Sequence, residues 1–121
     1  MTGFVCVGIG GAVGAMLRYA ISLIPYKDGF PVLTLITNIL GALAIGIIAG
    51  AAARKGLPDN TVLFLKTGVC GGFTTFSTFS LEAYNLLEQG NARMSVLYIA
   101  LSVIGCLAGV AAGMYAAERF V

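Results

Sequence analysis

The chain has 121 residues, of which 59% are apolar by type, 7 are basic, 5 are acidic and none is histidine. With a mean hydropathy of +0.97, it cannot supply the charged surface a soluble domain of this length needs. A net charge of +2 is too weak to argue for nucleic acid as a partner, and the lack of histidine, acid pairs, metal clusters or a phosphate loop argues against an enzyme.

The charges leave four uncharged stretches, 1–17, 29–53, 67–81 and 94–117. A bilayer crossing takes about 20 apolar residues. Two stretches reach that length alone. The other two reach it if Arg18 and Lys66 snorkel to the interface. The expected fold is an all-α membrane protein with helices over about 3–24, 32–53, 62–87 and 95–117 in a single domain. The connections 25–31, 54–60 and 88–94 are short. The first stretch lacks the basic start of a signal peptide and three more spans follow it, so it is kept as a helix.

In the first span Gly10 and Gly14 lie four apart, and Arg18 and Tyr19 close it. Arg18 is either an interfacial anchor or a positive charge at a vestibule mouth. Lys27 and Arg93, on the same side, would add to that potential. In the second span Asn38 follows Thr34 by one helical turn and stands beside Thr37. A buried amide in lipid needs partners, so Asn38 faces protein or water, as helix–helix glue or as the lining of a polar path. Gly46 and Gly50 repeat the four-residue spacing.

The third span holds the sequence Gly-Gly-Phe-Thr-Thr-Phe-Ser-Thr-Phe-Ser over residues 71–80. Irregular or polar chain at membrane depth survives only against protein or a water-filled path. Gly71 and Gly72 can interrupt helical bonding, and Thr74, Thr75, Ser77, Thr78 and Ser80 can patch the freed groups. Freed carbonyls with threonine oxygens are hard ligands for a small cation. Phe76 and Phe79 share a face if the helix resumes, and ring edges are electropositive enough to attract a small anion. A glycine-kinked packing helix is the plainer alternative. Glu82 ends the uncharged stretch, and no other acid stands where it can face the membrane interior.

In the fourth span Tyr98, Ser102 and Cys106 fall on one face. They line a path, or Ser102 bonds its own helix and Tyr98 sits at the interface. Gly105, Gly109 and Gly113 complete the small-residue pattern that lets helix backbones approach closely. Cys6, Cys70 and Cys106 fit neither a disulfide framework nor a metal spacing, so they read as small packing residues.

An even number of spans puts both termini on one side with Arg54, Lys55, Arg119 and, at the edge, Lys66. The other side has Arg18, Lys27 and Arg93. The near balance predicts insertion in both orientations and hence an antiparallel assembly, unless something else overrides a weak bias.

These motifs resemble the Fluc/CrcB family of fluoride channels over the whole length. The carriers are residues 10–19 (Gly-Gly-Ala-Val-Gly-Ala-Met-Leu-Arg-Tyr), Thr37-Asn38 and residues 71–79. The resemblance implies a dual-topology antiparallel homodimer in the inner (plasma) membrane, passing fluoride passively out of the cytoplasm. It implies pore-lining roles for Asn38, Phe76, Phe79, Thr75, Ser77, Tyr98 and Ser102, and a vestibule role for Arg18. It also implies a structural sodium ion at the dimer centre, held by the Gly71 and Thr74 carbonyls. Cys106 departs from the hydroxyl expected at its place, and Glu82 matches a family carboxylate whose role stays open. Two other readings compete. A small multidrug-type proton-coupled exporter needs a carboxylate in its first span, and residues 1–24 have none. A non-conducting structural subunit would need neither Asn38 nor so many hydroxyls at membrane depth.

Overall fold

The computed structural model describes residues 1–26 and 29–121; Lys27, counted above among the basic loop residues, lies outside the described residues. Every regular element among the described residues is helical. Helix α1 spans Thr2–Ser22, α2 Val32–Lys55 and α6 Ala92–Phe120. These three are long and apolar enough to cross a membrane. Their ends lie within a few residues of the expected ones, α6 starting three residues earlier and ending three later.

The expected span 62–87 has a different form. The chain enters through α3 (Asp59–Val62), winds as a π-helix over Leu63–Cys70 and closes with α4 (Gly71–Phe73). Extended backbone at Thr74 (φ −85°, ψ 156°) and Thr75 (φ −148°, ψ 116°) then interrupts it, and α5 runs Phe76–Glu88. Such π-winding is rare and gathers at functional sites. The interruption does not fall at the paired glycines. Gly71 and Gly72 stay helical, and Gly72 serves close packing instead, because a Cβ there would collide with the Gly11 carbonyl.

Small residues set the two main seams, as their spacing predicts. Helix α1 lies on the π-segment with Gly10 against Gly68: a Cβ on Gly68 would sit 2.9 Å from Gly10 Cα. Helix α2 lies on α6 in the same way, with Gly46 facing Gly113. In lipid, where burial of apolar surface offers little drive, such backbone proximity and its dispersion contacts hold helices together.

The turn from α5 into α6 is a Schellman closure. Gly90 takes φ 81°, the Asn91 N–H donates to the Leu86 carbonyl at 2.8 Å and the Gly90 N–H to Leu87 at 3.1 Å. A left-handed residue is cheap only for glycine. The turn folds α5 against α6, where fully buried Ser95 donates to the Ala83 carbonyl at 2.8 Å. Phe79, Ala83, Leu86 and Tyr98 form the buried cluster between the two helices. Cys70 is buried, Cys6 and Cys106 are half-buried, and all three are free thiols.

Candidate ion pathway at the helix break

Asn38 on α2 holds the break open. Its Oδ1 accepts from the Thr75 N–H at 2.9 Å, and its Nδ2 donates to the Thr75 carbonyl at 3.2 Å. The side-chain amide therefore stands in for a peptide neighbour, satisfying both backbone groups that extended Thr75 would otherwise leave bare. Thr75 in turn caps α5: its Oγ1 accepts from the Thr78 N–H at 3.1 Å and lies 3.2 Å from Ser77 Oγ. This is ordinary N-capping by threonine, placed in the middle of the broken segment.

The break leaves two helix ends on either side of Thr74 and Thr75. The run ending at Phe73 presents carbonyls, the negative end of its dipole; α5 presents N–H groups, the positive end. In an unbroken helix the Gly71 and Thr74 carbonyls would accept from the N–H groups of Thr75 and Thr78. Those donors are turned to Asn38 Oδ1 and Thr75 Oγ1 instead. The freed carbonyls are neutral, hard oxygen donors that could hold a small cation such as sodium. Two carbonyls from one chain are too few to enclose it. The Gly72 carbonyl accepts from Arg18 Nε at 3.2 Å, and the Cys70 carbonyl accepts from Thr74 Oγ1 at 2.9 Å.

On one side of the break an open groove of about 390 Å3 runs between α2, the broken span and α6. It gathers Asn38, Gly71, Thr74, Thr75, Phe76, Phe79 and Ser102, with Cys106 and Lys66 beside them. Phe76 is 79% exposed in the isolated protomer, whereas Phe79 is buried. Their ring centroids are 5.5 Å apart, and Phe79 continues to Tyr98 at 5.1 Å. Phe30 meets Tyr98 edge-on at 5.6 Å. The buried Ser102 hydroxyl, on the wall of the groove, has no hydrogen-bond partner among the described residues. A hydroxyl left so in apolar surroundings costs about 1–3 kcal/mol.

Tyr98 and Ser77 stand apart from this lining. Tyr98 lies behind Phe79 and donates to Glu82 Oε1 at 3.0 Å, while Thr34 Oγ1 donates to Glu82 Oε2 at 3.1 Å. Ser77 is exposed and bonded to Thr75. Arg18 lies on the far side of the break from the groove, on a separate cavity of about 80 Å3 with Ser22, Thr34, Thr37, Thr75 and Thr78.

Two features escaped the sequence reading. The Thr34–Glu82–Tyr98 triad has a partial signal, since Thr34 stands one turn before Asn38 and Glu82 lies near Phe79 in the sequence. The Arg18–Gly72 bond has none, because it depends on how α1 is seated.

Comparison with known proteins gives the family. The family model described as CrcB-like protein, Camphor Resistance (CrcB), matches residues 5–114. A protein of Ruminiclostridium cellulolyticum named fluoride-specific ion channel FluC is 49% identical over 123 aligned positions, covering 98% of this chain and 94% of the relative. One of the same name from Methylobacterium sp. (strain 4-46) is 46% identical over 117 positions, covering 94% of each. A third, from Azobacteroides pseudotrichonymphae, is 42% identical over 118 positions and 94% of each. Matched by the family model over residues 5–114 and by these relatives over nearly its whole length, the chain belongs to the CrcB family.

Proposed function

We propose that this chain is a fluoride-selective channel of the inner (plasma) membrane, crossing it with α1, α2, α6 and the broken third segment. Two copies in opposite orientation line two pathways, and each lets fluoride leave the cytoplasm passively. The observation that carries the reading is the groove itself. An unpartnered Ser102 hydroxyl and the rings of Phe76 and Phe79 converge beside the positive N-terminal end of α5. The curated relatives are named for the same ion. Fluoride is small and strongly hydrated, so it enters only where donors and positive ring edges replace its water. Ser102 and Asn38 supply donors, the rings supply edges, and Thr75 holds the α5 end in place. Thr75 continues the polar surface beside the rings, with Ser77 bonded to it at the rim, while Tyr98 backs Phe79 from behind. No bond is made or broken, so no catalytic group is needed. A host strain lacking its own fluoride exporter should regain growth in millimolar fluoride when it expresses the chain. No gain at verified membrane expression would argue against export.

The second copy has a place on this surface. The groove and the 79% exposed Phe76 form an apolar face with polar points, which a partner would cover. The nearly balanced basic loop residues support opposite orientations. Reporters fused to the C-terminus are expected to give signal on both sides of one membrane, and signal on one side alone would exclude the antiparallel pair.

The Gly71 and Thr74 carbonyls of both copies would hold a sodium ion where the copies meet. The ion would supply fixed positive charge that ties the two broken segments together. Exchanging sodium for a large organic cation is expected to lower the dimer's melting temperature in detergent. An unchanged melting temperature and unchanged flux would remove the site.

A further inference from the structure

We infer that Arg18 is a positioning residue, which brackets the helix break by holding the Gly72 carbonyl with its Nε–H. The inference rests on the channel reading for what the break is for, and on the structure alone for the bracket. Arg18 Nε lies 3.2 Å from the Gly72 oxygen, and Arg18 is half-buried. In a continuous helix the Gly72 carbonyl would accept from the Phe76 N–H. The extension at Thr74 and Thr75 removes that donor. A carbonyl orphaned at a negative helix end wants a cation or a donor, and a guanidinium is both.

The seating of α1 makes the reach possible. A Cβ on Gly72 would collide with the Gly11 carbonyl, and one on Gly14 would lie 2.8 Å from the Phe73 nitrogen. Helix α1 therefore rides directly on α4, and one turn beyond Gly14 the Arg18 side chain meets the end of that run. Asn38 grips the α5 side of the break through Thr75. Arg18 grips the α4 side through Gly72. Two helices thus fix the two ends of the extended dipeptide. With Gly72 occupied by Arg18, the Gly71 and Thr74 carbonyls remain free for other ligands.

A steering charge and a bracket differ in what they need from residue 18. A steering charge needs a positive group at any nearby point and is screened by salt. A bracket needs an N–H at one place. In glutamine the amide nitrogen lies as many bonds from Cα as arginine Nε does, so Arg18→Gln keeps a donor there and discards the charge. Arg18→Met keeps the shape and discards both. Arg18→Lys keeps the charge but puts a methylene where Nε stood.

The test is fluoride flux and detergent melting for the wild type and these three variants. Arg18→Gln is expected to keep at least half the wild-type flux and to melt within about 2 °C of it. Arg18→Met is expected to lose about tenfold in flux and to melt ~4–8 °C lower, the shift typical of one lost interaction in a small domain. Flux retained by Arg18→Lys and lost by Arg18→Gln would make Arg18 a steering charge and overturn the bracket. So would equal melting of Arg18→Gln and Arg18→Met. If the wild type passes no fluoride, the channel reading fails, and the melting order still decides the bracket.

Discussion

Asn38→Asp is expected to reduce fluoride flux by at least about 100-fold, a barrier increase of ~2.7 kcal/mol, while the protein still inserts. The change alters one atom in shape and two things in chemistry. Aspartate keeps the acceptor that takes the Thr75 N–H but loses the donor now given to the Thr75 carbonyl. Two oxygens would then face each other across that contact, and the loss of such a bond costs about 1–3 kcal/mol. The new negative charge would also stand on the groove beside Phe76, Phe79 and Ser102, where the low surrounding dielectric magnifies its repulsion of an anion. Asn38→Gln keeps both polar groups but sets them one methylene further out, so it should lose flux less severely. Flux in Asn38→Asp within twofold of wild type would remove Asn38 from the pathway.

Phe76→Leu is expected to lower flux at least tenfold, about 1.4 kcal/mol of barrier, with little change in protomer folding. The reason lies in exposure: Phe76 is 79% exposed in the protomer, so its ring contributes little to the core that folds one chain. A loss of flux there reports the chemistry of the ring, because leucine offers bulk but no electropositive edge. Phe79 is the complementary case. It is buried in the cluster with Ala83, Leu86 and Tyr98, so Phe79→Leu should lose both flux and stability, the latter by roughly 1.5 kcal/mol. Flux surviving in Phe76→Leu at verified membrane insertion would mean that the rings only fill space.

Much of this fold is written in one dimension. Uncharged stretches and four-residue small spacings place α1, α2 and α6, because lipid demands apolar length and close seams demand small residues. The string at 71–80 marks the break, because polar backbone at membrane depth must be satisfied by something. Where the break falls is not written locally. The paired glycines suggest Gly71–Gly72, yet the chain opens at Thr74–Thr75, since Asn38, 37 positions away, supplies the two bonds that make Thr75 extended. The π-winding over Leu63–Cys70 likewise leaves no pattern that a helical period would show. The residues of the groove were legible as types and only partly as places. Asn38, Phe76, Phe79, Thr75 and Ser102 converge there, whereas Tyr98 is drawn back by Glu82 and Arg18 by the Gly72 carbonyl. Both displacements come from contacts between distant elements, which spacing within one helix cannot encode.

The most direct measurement is ion efflux from liposomes holding the purified chain, loaded with fluoride in one set and chloride in the other. The account predicts rapid fluoride efflux that runs down its own gradient without a pH gradient, and chloride efflux no faster than from empty liposomes. Equal flux of the two halides, or fluoride retained as in protein-free liposomes, would contradict it.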